Sequence, residues 1–224
     1  MYQHLRKYFS CIALASAFLT AVVALSSCAW AEKPEVGHSG VFGALTVGVD
    51  SRHKTLSAFY SEGSGWDETL RAPTFTCAFY LQGIFQGDRY NITTWYPGEN
   101  KSIKGQITFT VVDGQTKIKI RLEREHGGCG NVHPFATDDV GMLPETKRGR
   151  WFAVRVVCAE KAYFYSRPSL EAKKENYVPR YSPIRVFKTQ DHWVEAEYEA
   201  EKTTRGWIKA SDLFASEPKT FTTK

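Results

Sequence analysis

His126, Cys129 and His133 stand in the pattern H-x2-C-x3-H, and imidazole and thiolate at such spacing are ligands that zinc prefers. A structural zinc site takes four ligands, usually as two close pairs, so Asp138 or Asp139 would have to complete this one. The same sulfur has a competing use. Cys77 lies in the apolar run Phe75-Thr-Cys-Ala-Phe-Tyr80, and Cys129 in the turn Gly127-Gly-Cys-Gly130. A disulfide between them closes a loop of about 50 residues and contributes about 2–4 kcal/mol through the unfolded chain. The reading favours this bridge, with Gly127–Pro134 as a pinned loop and Cys158 as a buried, unpaired strand residue.

Other reactive types lack the setting that their chemistry needs. A nucleophilic cysteine requires an exposed, electropositive site that lowers its pKa, whereas Cys158 sits in Val-Arg-Val-Val-Cys-Ala, which reads as core. Glu195 with Glu197, or Asp138 with Asp139, could form the carboxylate pair of a glycosidase. The first pair is i, i+2 on one strand face beside water and the second is in a loop, so solvated charge explains both. Gly63-Ser-Gly-Trp66 has no helix after it to form a nucleophile elbow. The expectation is a protein that binds, with no catalytic residues, no metal and no cofactor.

The amino terminus bears on the compartment. Arg6 and Lys7 precede the uncharged apolar run Cys11–Leu25, and small residues follow, the tripartite form of an export signal over residues 1–28. About 15 apolar residues is short for a membrane span, which needs roughly 20. Leu25-Ser-Ser-Cys28 resembles a bacterial lipobox, with Cys28 as the lipidated first residue of the mature chain. Ala29-Trp-Ala31 equally fits the A-x-A rule, which would release a soluble chain beginning at Glu32. Both place the mature chain outside the cytoplasm, where disulfides persist. The formal charge of +5 falls to about +3 without the leader, and with no basic stripe it does not point to nucleic acid.

The elements that must position these residues are strands. Gly40–Val49 and Thr55–Tyr60 flank a turn at Asp50–Lys54, and Gly63-Ser-Gly65 reads as a break. Thr74–Gln82, Arg89–Tyr96 and Ser102–Val112 follow, the last stopped by Asp113-Gly114, a strong hairpin signal. Lys117–Glu123 alternates strictly, which puts Ile118, Ile120 and Leu122 on one face. Turn signals every 8–12 residues predict an antiparallel β-sandwich or barrel of about eight strands over 36–150, with a short helix between Phe135 and Leu143 and a join at Pro144–Arg150.

From Trp151 the pieces change. Ala162-Tyr-Phe-Tyr-Ser-Arg-Pro168 precedes Ile184-Arg-Val-Phe187, His192-Trp-Val194 and Gly206-Trp-Ile-Lys-Ala-Ser-Asp-Leu213. This order resembles a bacterial SH3-like (SH3b) domain. The closing Gly-Trp-Ile stretch is the best match, Arg167-Pro168 remains of the opening motif, and aromatics replace its aliphatic-Asn portion. The resemblance covers 151–216 and implies a small SH3-like β-barrel, so the whole chain is expected to be all-β. It also implies peptidoglycan or an envelope protein as partner. Tyr163, Tyr165, Trp193 and Tyr198 are candidates for a stacking surface, Arg167, Arg180 or Lys209 for reaching a carboxylate, and Trp207 for the core. A rival reading is a periplasmic inhibitor or immunity protein that blocks an envelope hydrolase, with Gly127–Pro134 as the inserted loop.

Overall fold

The computed structural model describes residues 37–96, 98–99, 101–137 and 141–214. The leader at 1–28, Cys28, the Ala29–Ala31 alternative and Asp138 and Asp139 lie outside the described residues. The chain is all-β. Eight strands come first: β1 (Gly40–Phe42), β2 (Leu45–Asp50), β3 (Thr55–Asp67), β4 (Ala72–Gln86), β5 (Arg89–Trp95), β6 (Ser102–Val112), β7 (Gln115–Leu122) and β8 (Leu143–Arg148). Each pairs antiparallel with the next, and β8 pairs back on β1, so the sheet closes into an up-and-down barrel.

Period-two alternation fills this barrel. Ile118, Ile120 and Leu122 all point inward, and they meet Phe42, Leu81 and Ile107, each 3% exposed or less. Asp113 and Gly114 both take positive φ, 53° and 76°, between Val112 and Gln115, which pair directly. That is the two-residue turn whose twist matches a hairpin. At the closing seam His38 Nε2 meets Glu145 Oε1 at 3.0 Å, and the Thr146 hydroxyl donates to the Val41 carbonyl at 3.1 Å.

Three local expectations are corrected. Gly63-Ser-Gly65 does not break a strand: β3 runs through it to Asp67, paired with β4 as far as Ala72. Two isolated glycines weaken a strand but do not end one when the partner strand continues. Pro144–Arg148 is no linker, because it is needed to close the barrel as β8, and the join is confined to 149–152. No helix forms among the described residues between Phe135 and Leu143. The Glu125 carboxylate there accepts from the N–H groups of Phe135 and Ala136, at 2.7 and 2.5 Å, while the Phe135 ring enters the core.

The remaining strands are β9 (Ala153–Val156), β10 (Lys161–Tyr165), β11 (Lys173–Pro179), β12 (Pro183–Gln190), β13 (Trp193–Tyr198) and β14 (Thr204–Lys209). They form a six-stranded antiparallel sheet in the order β11-β10-β14-β13-β12-β9. It has its own core, built from Ala162, Phe164, Val178, Ile184, Val194 and Ile208. Cys158 lies just past β9 and is half-exposed, with its Sγ donating to the Ser211 carbonyl at 3.6 Å, so it is no core residue.

The sheet docks on the outer wall of the barrel at β2, β3 and β4. The Trp151 indole N–H donates to the Val47 carbonyl at 2.7 Å, and the Val154 N–H to the Ser57 hydroxyl at 2.9 Å. Tyr80 donates its phenol proton back to the Val154 carbonyl at 3.0 Å. Gly48 faces the Ala153 backbone so closely that a Cβ there would collide with it. Tyr80, Trp95 and Val156 seal this seam with apolar surface.

Candidate functional site

The outer face of the six-stranded sheet carries interleaved rings and charges. Alternation sends Ala162 and Phe164 inward, so Tyr163 and Tyr165 point out. The same rule turns Trp193 and Glu195 of β13 and Trp207 and Lys209 of β14 outward, and a bulge at Phe187 of β12 brings Lys188 to the same face. Register aligns them in rows. One row runs Tyr165–Trp207–Glu195–Lys188 across four strands, and the next runs Lys209–Trp193–Gln190.

Contacts between the rows fix the rings. Trp193 meets Tyr165 edge-on with centroids 4.7 Å apart, which leaves Tyr165 4% exposed and Trp193 half-exposed above it. Lys188 Nζ lies 5.6 Å from the Trp207 ring and Lys209 Nζ 5.8 Å from the Tyr165 ring. At the β10–β11 edge, Tyr163 and Tyr177 face one another at 5.8 Å, with Lys173 Nζ 3.5 Å over Tyr163 and Lys161 Nζ 4.7 Å over Tyr177. Such cation–ring contacts contribute about 0.5–1 kcal/mol each at an exposed site. They hold the flat faces of the rings in place while leaving the ammonium groups hydrated.

Two carboxylates on this face are engaged. Glu195 accepts from Arg205 at 3.0 Å, and Glu197 lies 3.1 Å from Arg185. Arg185 also pairs with Glu199 and stacks 5.0 Å over Trp151, and it is 5% exposed. Glu195 and Glu197 are therefore tied to arginines on either side of their strand, which does not fit the acid and the nucleophile of a glycosidase.

The predicted site residues divide. Tyr163, Tyr165 and Trp193 come together on this face. Tyr198 points the other way and packs against the core, because it shares the parity of Val194 and Ala196. Arg167 stands in the loop after β10, with its guanidinium 3.7 Å from Glu171. Trp207, which the sequence assigns to the core, is half-exposed on the outer face, since Ile208 and Gly206 take the inward positions. Tyr177 and Lys173 were missed. Their strand, β11, is mostly exposed, and its polar stretch gives no apolar alternation to read.

The H-x2-C-x3-H cluster is a structural corner of the barrel. Cys77 and Cys129 are joined in a disulfide and both are fully buried, so the Cys129 sulfur serves the bridge. His126 stacks on Phe79 at 4.9 Å, with its Nε2 2.7 Å from the Thr94 hydroxyl. Burial, helped by the Arg124 charge, pushes its pKa down to about 4. His133 lies 4.7 Å from the Phe135 ring, on the other side of that ring cluster. Among the described residues no cluster of three or more metal-ligating side chains is assembled.

One further concavity was not foreseen. A groove of about 790 Å3 separates the barrel wall from β9, and neutral hydrogen-bonding side chains such as Ser57, Gln82, Asn91 and Thr93 line it beside Arg155. These residues alternate with core residues along β3, β4 and β5, a pattern that sequence alone reads only as a solvated wall. Comparison of the chain with protein-family models, with curated proteins and with solved structures finds no match. Chemistry and geometry therefore carry the functional reading.

Proposed function

We propose that this chain is an exported, non-enzymatic cell-envelope protein whose C-terminal sheet binds peptidoglycan. The observation that carries the reading is the outer face of that sheet, where Tyr163, Trp193 and Trp207 present rings among Lys173, Lys188 and Lys209. Sugar rings stack on such platforms through their apolar faces, and the carboxylates of a peptide stem pair with ammonium groups. The resemblance of 151–216 to SH3b domains points to the same ligand. The Arg-bound carboxylates of Glu195 and Glu197 support a binding role over a bond-breaking one.

Export rests on the leader at 1–28, and the Cys77–Cys129 bridge fits an oxidising compartment. The leader either anchors the protein through lipidated Cys28 or releases it after Ala31. An envelope protein is the other partner that such a face would suit, and the assay separates the two. Purified sacculi sedimented with the mature chain should carry it down, and Trp193→Ser with Trp207→Ser should reduce the bound fraction at least fivefold without changing the far-ultraviolet dichroism. Loss of sacculus binding with retained capture of an envelope protein at the same face would transfer the site to that protein. Unchanged sedimentation of the double variant would remove the face from the account.

A further inference from the structure

Beyond the wall-binding face, the barrel carries a second feature with no internal use. Strand β2 stops pairing with β3 at Tyr60, and β5 stops pairing with β4 at Tyr80. Past those residues β3 and β4 continue together to Asp67 and Ala72 as a two-stranded ribbon. About seven residues at 3.3 Å each carry it roughly 23 Å from the barrel body. An isolated ribbon of two strands is marginal in water, and this one is braced at its base. Cys77 is bonded to Cys129, the Ser64 hydroxyl donates to the Asn131 carbonyl at 2.9 Å, and Gly128 packs against the Thr76 carbonyl.

Where it is uncovered, the ribbon exposes large apolar side chains among polar ones. The 127–134 loop covers the ribbon only as far as Ser64 and Cys77, and beyond them Gly65 bends β3 with a φ of 66°. Trp66 is 61% exposed, Leu70 at the tip 74% and Phe75 42%. Exposed large apolar groups gathered on one projection mark an interaction site. Glu62, Asp67 and Glu68 against Arg71 make the ribbon acidic in a chain whose formal charge is +5. Asp67 also fixes the tip, accepting from the N–H groups of Thr69 and Leu70 at 2.8 and 2.9 Å.

We propose that this β3–β4 arm docks, tip first, into a concave and positively charged cleft of a partner protein. A projection this narrow needs a concave receptor, and its acids need basic walls. Two arms laid together would set like charges opposite one another. An arm seated on another face of a second copy would self-associate the chain, an outcome that the cross-linking experiment separates. An anionic bilayer would repel the acids. The 127–134 loop, which the rival reading would insert into a hydrolase, braces the base of the arm.

The arm and the wall-binding face use different residues, so each can fail alone. With the photo-cross-linking residue benzoylphenylalanine placed at Leu70 of the full chain in its native cells, the cross-linked peptide should map to a basic cleft of one protein. Affinity for that purified protein should fall at least tenfold in the Trp66→Ser, Leu70→Ser double variant. It should fall several-fold in Glu68→Lys and at raised salt, and stay unchanged in Trp207→Ser. Trp66, Glu68 and Leu70 are exposed, so the thermal melt of the arm variants should not move. Cross-links to a second copy, to lipid or to nothing would overturn the proposal, as would a partner whose affinity ignores the double variant.

Discussion

His126 takes its chemistry from the corner that the disulfide creates. Its ring lies flat on Phe79, and the Thr94 hydroxyl, which donates to the Ile103 carbonyl at 3.2 Å, accepts from the imidazole. A proton added there would be buried beside rings and near Arg124, which is why the folded pKa falls to about 4. Because the unfolded chain binds that proton more readily, near pH 6.5, the contribution of neutral His126 is complete above that value. It is lost as pH falls from about 6.5 toward 4. Urea midpoints at pH 7 and pH 4.5 should therefore differ more for the natural chain than for His126→Phe, which keeps the stack and cannot titrate. Equal differences in the two proteins would show that His126 does not couple protonation to folding. The residue types of this corner were legible in the sequence, as was the Cys77–Cys129 bridge. The ring cluster around them was not, because it joins residues 60, 79, 126 and 135, which only closure of the barrel brings together.

At the scale of single elements, alternation was the most reliable guide. Lys117–Glu123 and the Asp113-Gly114 turn fold as their patterns imply. Trp207 does not, because a large ring in a strand with a buried Ile neighbour can lie on either face, and parity decides for the outside. Gly63-Ser-Gly65 hid the arm, since local breaker signals say nothing of a partner strand that carries the pairing onward. Strand β10 allows a direct comparison. Phe164 is fully buried and Tyr163 beside it faces out, so Phe164→Ala should cost about 3–5 kcal/mol of unfolding free energy. Tyr163→Ala should cost about 1 kcal/mol or less while weakening sacculus binding. Chemical denaturation of both variants checks the pair. Similar losses would mean that the outer rings serve as a second core and not as a platform.

In the whole molecule, two separately cored sheets are held together by a seam of hydrogen bonds, apolar contact and one close backbone approach. Trp151, Val154 and Tyr80 supply its hydrogen bonds, and Gly48 admits the Ala153 backbone. Gly48→Ala should lower stability by about 1–3 kcal/mol, as overpacking of a tight contact does. It should also expose the 149–152 join to protease before either sheet unfolds. A melt and a digestion pattern identical to those of the natural chain would show that the seam is loose. No periodicity announces such a seam, because it depends on a glycine and on carbonyls that any sequence possesses. The all-β class and the order of pieces could be read in advance, but the way the parts face one another could not.

The outer face of the second sheet carries the proposed binding, and the tryptophan indoles report on it directly. In a two-dimensional nitrogen–proton spectrum of the mature chain titrated with a soluble disaccharide-peptide fragment of peptidoglycan, the Trp193 and Trp207 indole signals should shift together and saturate. Those of Trp66, Trp95 and Trp151 should stay in place. Shifts confined to Trp66, or no saturable shift at Trp193 and Trp207, would contradict it.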